Sequence, residues 1–357
     1  EWLTDSLVHL SLVQDNRDGW YEIHPLLRRY FRDKLEASPH AEPAKRRYCG
    51  IMAKKSAEMP QNPTIEIVEE FKPFLLHLQA SVGEYPQYIA DEDLGWSYTG
   101  LARYYNGQGL YAIAEPYCQA CLTATRTHLG DNHPDVATSL NNLALLYQSQ
   151  GRYTEAEPLY LQALDLYKRL LGDNHPDVAQ SLNNLAELYR SQGRYTEAEP
   201  LHLEALDLYK RLLGDNHPDV ATSLNNLALL YDSQGRYTEA EPLYLEALDL
   251  RKQLLGDNHP DVATSLNNLA GLYYSQGRYE EAEPLYLEAL DLLKRLLGDN
   301  HPNTKTCRNN LQRLRQQQKP TSLTWWQWII VTPIVILWMP FYLLWMLTRW
   351  LVRCFIR

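Results

Sequence analysis

The sequence predicts an all-α protein. Pairs of helices stack into a solenoid, a right-handed superhelix, preceded by a small hairpin-containing piece and followed by one transmembrane helix. Three observations predict this. The string GDNHP returns at 130–134, 172–176, 214–218, 256–260 and 298–302, always 42 residues apart. Between copies, apolar residues recur at helical spacing twice per unit. Residues 325–347 carry no formal charge. A helix pair cannot bury its own apolar stripe, so a fixed period of this length implies units stacked on their neighbours.

Residues 1–40 stand outside the repeat. Leu3–Leu10 is expected as a short amphipathic helix. Ser11–Gln14 and Trp20–His24 are expected as two strands joined by a turn at Asp15–Gly19. Pro25–Ala37 is expected as a basic amphipathic helix with Leu26, Leu27, Tyr30, Phe31 and Leu35 on its apolar side. Helix, hairpin and helix make a partial winged-helix-like segment. The line WYEIHPLLRRYFRDKL resembles the winged-helix end of the nucleotide-binding module in STAND-type ATPases, the NB-ARC group. The resemblance implies that His24 reaches a nucleotide phosphate and that an ATPase module with the P-loop lies upstream. It is incomplete, because the Asp that often follows the His is Pro25 here. Residues 41–87 are expected as a helical linker, with Ile65–Ala80 its core helix and Pro60 and Pro63 marking a break.

A degenerate copy of the repeat occupies 88–129, where Gly109, Tyr111, Ala114 and Pro116 sit 42 residues before Gly151, Tyr153, Ala156 and Pro158. Four full copies fill 130–297, and a half-repeat cap fills 298–318. The first helix of each copy starts at a proline such as Pro134, where the lost N–H has no helical partner anyway, and Asp135 suits the helix dipole. Val136, Leu140, Leu143, Ala144 and Tyr147 form its apolar stripe, and Gly151 stops it. The second helix is expected to open on a capping box, Thr154 with Glu157. Ala156, Tyr160, Ala163, Leu164 and Leu170 form its stripe, and Gly172 ends it.

Leu140, Leu143, Ala144, Tyr147, Gly151, Tyr153, Ala156, Tyr160 and Ala163 follow the large/small pattern of tetratricopeptide repeats, which the chain resembles over residues 88–318. The usual period is about 34 residues. The 42-residue form is similar to the repeats of kinesin light chains, and it lengthens the second helix. The resemblance implies a concave groove, lined by the first helices, that binds a peptide or partner protein.

Copies differ at a few sites on one face of the first helices: Thr138/Gln180/Thr222/Thr264, Leu145/Glu187/Leu229/Gly271 and Gln148/Arg190/Asp232/Tyr274. The candidate groove residues are Asn141, Leu145, Gln148, Gln180, Asn183, Glu187, Arg190, Asn225, Leu229, Asp232, Asn267 and Tyr274. Each copy also carries an Asn pair, from Asn141-Asn142 to Asn309-Asn310. Asn is a mediocre helix former, so its retention mid-helix needs a reason. Two readings stand. The amides bond the backbone of an extended ligand, as groove Asn residues do in the related kinesin light chains, or one Asn of each pair bonds to the adjacent repeat and fixes the stacking.

No catalytic, cofactor-binding or metal-binding residue is expected. His133, His175, His217, His259 and His301 recur too far apart to share a metal and are expected as turn and N-cap residues. Cys118 and Cys121 replace small core residues. No GxxxxGK[ST], strand-linked GxGxxG or HExxH occurs. The formal charge is -10, with -13 on residues 130–297, -4 on 1–129 and +7 on 298–357. An acidic body disfavours nucleic acid and favours a basic or polar peptide. Trp325, Trp326 and Trp328 at one end of 325–347, with Trp345 and Trp350 near the other, suit interface anchors, and Arg349, Arg353 and Arg357 make a basic tail over 348–357. This predicts a single-pass C-terminal membrane anchor, with the repeats facing the cytoplasm.

The expected function is therefore a non-enzymatic protein–protein interaction scaffold, the sensor part of a STAND-like signalling protein. The alternatives are a stand-alone adaptor similar to a kinesin light chain or, with no supporting motif, an enzyme or DNA-binding regulator.

Overall fold

The structure is a computed structural model that describes residues 13–15, 21–23, 25–318 and 345–346. It opens with the antiparallel hairpin β1 (Val13–Asp15) and β2 (Tyr21–Ile23), Val13 opposite Ile23. Helices α1 (Pro25–Glu36) and α2 (Ala41–Ala57) follow. The helix expected over Ile65–Ala80 is divided into α3 (Ile65–Phe71) and α4 (Leu75–Gly83) by a 3-10 turn at Lys72–Phe74. Pro73 lacks the N–H that a continuous helix would need there. Leu3–Leu10, His24 and residues 348–357 lie outside the described residues.

Six helices now alternate with five partners. The first helices are α5 (Leu94–Gly107), α7 (Pro134–Ser149), α9 (Pro176–Ser191), α11 (Pro218–Ser233), α13 (Pro260–Ser275) and α15 (Pro302–Gln318). The second helices are α6 (Tyr111–Leu129), α8 (Tyr153–Leu171), α10 (Tyr195–Leu213), α12 (Tyr237–Leu255) and α14 (Tyr279–Leu297). Every first helix after α5 is capped by its His. The His133 Nδ1 accepts from the Asp135 N–H at 3.2 Å, and the same bond recurs at His175, His217 and His259. Each second helix ends on a glycine with positive φ, +79° at Gly172, a backbone shape that L side chains resist.

The capping box does not form. The second helix begins earlier, at Tyr153, with Arg152 at its N-cap and no side-chain cap bond. Arg152 instead lies 3.9 Å over the Tyr147 ring and pairs with Glu155 (2.7 Å) and with Glu115 of the preceding pair (2.9 Å). Arg194, Arg236 and Arg278 repeat the arrangement. Glu157, the expected capping partner, is thus engaged by Arg194 of the next copy. The buried stripe of the second helix is Ala156, Tyr160, Ala163, Leu166 and Tyr167, whereas Leu170 is exposed. Leu170 falls one turn beyond the point where the stripe rotates away from the partner helix.

The first helices of successive pairs touch one another as well as their second helices. They therefore form the inner layer of the curve. The two ends of the array meet. Helix α3 reaches α14, Ile65 lies against Gly298, and Pro302 lies against Gly109. The turn edge of the first pair thus meets the loop edge of the last.

The expected transmembrane helix is not supported. Residues 325–347, apart from 345–346, lie outside the described residues, and among the described residues no helix is long and apolar enough to cross a membrane. Every helix of the array is two-faced and carries charge. The lack of charge over 325–347 showed that a span would be long enough, not that one forms. The fold class supported is an α-solenoid, in which no described helix can cross a membrane, and the expected single-pass, membrane-anchored localisation is not supported.

Candidate interaction groove

The inner face of the first helices carries the first-helix residues that differ between copies. Leu145, Gln148, Glu187, Arg190, Leu229, Asp232 and Tyr274 are half-buried there, and Gln180 is exposed. The identical copies supply the frame, so these side chains stand at equivalent levels along one curved wall.

The Asn pairs divide into two roles. Asn141, Asn183 and Asn225 are 7%, 5% and 4% exposed. The Asn141 amide donates to Ser181 Oγ at 2.8 Å and the Asn183 amide donates to Ser223 Oγ, both on the next first helix. Asn225 Oδ1 accepts from Asn268 at 3.1 Å, and Asn267 Oδ1 from Asn310 at 3.2 Å. In the four full copies these bonds hold the first Asn of the pair between repeats. Burying an amide is tolerated only with such partners. Asn142, Asn184, Asn226 and Asn268 remain half-exposed.

The groove deepens at its N-terminal end into a cleft of about 890 Å³, open to solvent. Tyr98, Arg103 and Asn106 from α5 face Asn142 and Leu145 from α7 and Asn184 from α9 across it. Arg103 donates to the Met59 carbonyl at 3.0 Å and lies 5.6 Å from the Trp96 ring, and burial pulls its pKa down. Comparison of the near-identical copies missed these α5 residues, because the degenerate copy has diverged too far to be compared with them.

The centre of the groove is where the copies differ most in charge. Arg190 forks onto Glu187 (Nε to Oε2 2.8 Å) and reaches Ser233 of the next first helix at 3.3 Å. Asp232 stands at the level of Arg190 on that helix. Burial pushes its carboxyl up to about 6, although Arg190 acts in the opposite direction. Behind them, His202 replaces the tyrosine of the other copies and is fully buried, its Nδ1 2.9 Å from Asn183 Oδ1. Burial, then the nearby Arg190 charge, bring its pKa down to about 3. His202 was missed because only the first helices were compared.

Such a surface can hydrogen-bond, pair charge and bury apolar groups. Cys118 and Cys121 are buried, and burial raises both thiols, Cys118 to about 12. Among the described residues no cluster of His, Cys, Asp or Glu is arranged to hold a metal ion.

Solved structures share this architecture. NprR in complex with its cognate peptide NprX superposes with a TM-score of 0.60 at 16% identity, covering 93% of this chain and 87% of that one. A Rap protein complexed with Competence and Sporulation Factor gives 0.53 at 17% identity, covering 68% and 70%. A putative kinesin light chain from Podosopora anserina with nearly identical TPR-like repeats gives 0.45 at 26% identity, covering 56% and 94%. The first two show a common fold. No curated protein matches the sequence. The tetratricopeptide repeat model matches residues 93–169, 135–209, 177–253, 233–295 and 261–320, well over half of the chain. The chain belongs to the tetratricopeptide repeat family.

Proposed function

We propose that this protein is a non-enzymatic interaction scaffold whose groove binds a peptide or an extended segment of a partner protein. One observation carries the reading. Along the first helices, the residues that differ between nearly identical copies lie on the inner wall, most of them half-buried (Leu145, Gln148, Glu187, Arg190, Leu229, Asp232 and Tyr274), while the first-helix core and the Arg152-type ion pairs repeat unchanged. A frame needed only for stacking gives no reason for that placement. NprR and Rap, which share the fold, are each described with a bound peptide or factor.

Dodecapeptides selected from a displayed library against the full chain test this. Titrated against Leu229→Arg, they should bind at least about tenfold more weakly, since the new charge projects into the groove. The thermal melt should stay unchanged. Equal affinity would place binding elsewhere.

A finer reading concerns the N-terminal piece. The β1–β2 hairpin leading into α1 has the order expected of the end of a winged helix, which supports the sensor part of a STAND-like switch. A stand-alone adaptor resembling a kinesin light chain is the other reading. Nucleotide-dependent assembly of the natural full-length protein distinguishes them, because only the switch requires it.

A further inference from the structure

We propose that Asp232, with the Tyr244 hydroxyl beside it, forms a subsite at the centre of the groove that takes a lysine or arginine side chain of the bound peptide. The inference rests on reading the groove as a peptide site and names the chemistry it selects.

The copies act as internal controls. In the first full copy, Tyr160 comes from the second helix to the groove wall and donates to Gln148 Oε1 at 3.0 Å. Gln148 and Asp232 are equivalent positions, as are Tyr160 and Tyr244. Tyr244 is likewise fully buried, yet its hydroxyl has no hydrogen-bond partner among the described residues. Burial and, next, the Asp232 charge push its phenol up. Buried hydroxyls are normally satisfied, so this unpartnered one, covered behind the groove wall, points to a donor that reaches it when a ligand displaces that cover.

Charge identifies that group. Glu187 already holds two arms of the Arg190 fork, so those two charges cancel. Among the described residues Asp232 joins no ion pair. The groove centre therefore keeps one uncompensated, half-buried carboxylate in an array carrying -13 over residues 130–297. An ammonium or guanidinium can donate both to the carboxylate and to the phenol oxygen, forming charge-assisted bonds. A ligand carboxylate would meet like charge, and a neutral amide would leave the charge unbalanced. Leu229, one turn before Asp232, and Tyr274, at the same level on the next first helix, suit the aliphatic stem of such a side chain.

The test uses the full chain and fluorescent dodecapeptides (Ala-Lys)6 and (Ala-Gln)6 at physiological salt, read by anisotropy. Wild type should prefer (Ala-Lys)6. Asp232→Asn should weaken (Ala-Lys)6 on the order of tenfold, the loss of one charge-assisted contact, with (Ala-Gln)6 unchanged. Asp249→Asn removes the same charge from an exposed site on α12 and should leave both affinities unchanged. Equal effects of the two variants, or no preference for lysine by a wild type that binds (Ala-Gln)6, would overturn the subsite and leave the groove reading standing. Binding of neither peptide would overturn both.

Discussion

His202 occupies the place that Tyr160, Tyr244 and Tyr286 hold in the other copies, and burial keeps its imidazole neutral. A folded-state pKa near 3 against 6.5 unfolded means that the unfolded chain gains a proton first as pH falls. Stability is therefore lost progressively from about pH 6.5 down to about 3, with about 2–3 kcal/mol gone by pH 4.5. His202→Tyr should remove that acid sensitivity, and melting curves at pH 7 and 4.5 for the two proteins check it. Asp232 has the opposite sign. Its pKa is raised to about 6, so the folded state bears a cost that appears as pH rises past the unfolded value of 3.8 and is complete near neutrality. Discounted for partial exposure, Asp232→Asn should stabilise by about 1 kcal/mol at pH 7 and by nothing below pH 4. Urea denaturation at both values reads this.

At the scale of the element, α12 carries the exception that tests how tolerant the frame is. Arg251 stands where α8 and α10 have Tyr167 and Tyr209 and α14 has Leu293. It is 6% exposed, burial lowers its pKa, and its guanidinium donates to Ser265 Oγ at 2.8 Å and to the Asp261 carbonyl at 3.2 Å. A buried cation held by neutral acceptors gives little net stability, yet removing its bulk leaves a cavity. Arg251→Tyr, which restores the neighbouring residue, should be neutral or stabilising, and Arg251→Ala should cost about 2–4 kcal/mol by urea denaturation. The caps show the same logic. The His-Pro-Asp start of the first helix in the four full copies was legible because its parts are adjacent in sequence. The start of each second helix was misplaced, because Arg152, Arg194, Arg236 and Arg278 take up glutamates of the preceding pair, and nothing local reveals that competition.

For the whole molecule, closure of the array is the feature with consequences. Ile65 against Gly298 joins a segment outside the repeats to the last loop, and Pro302 against Gly109 joins the last helix to the turn of the degenerate copy. Ile65 is 40% exposed, so the seam adds little stability, and its loss is expected to let the curve open. Ile65→Asp should leave the midpoint of thermal unfolding within a few degrees of wild type, because a half-exposed contact contributes little. It should nevertheless increase the radius of gyration in small-angle scattering; an unchanged radius would mean that curvature is set inside the repeats alone.

The sequence by itself determined the architecture, since a 42-residue period with two apolar stripes, a proline start and a glycine stop leaves stacked helix pairs as the way to bury those stripes. It also determined which wall positions differ between copies. Tertiary structure decided the rest. It placed Asn141, Asn183 and Asn225 between repeats, because a buried amide needs a partner and a residue one repeat away supplies it, a serine for Asn141 and Asn183 and Asn268 for Asn225. It assigned the Arg152-type guanidinium to two glutamates and a tyrosine ring at once, and brought Pro302 to Gly109 across almost the whole array. The Asn bonds, the Arg152–Glu115 pair and the Pro302–Gly109 contact each join residues 37 or more apart in sequence, and helical periodicity reports only which face a residue is on, not what lies opposite it.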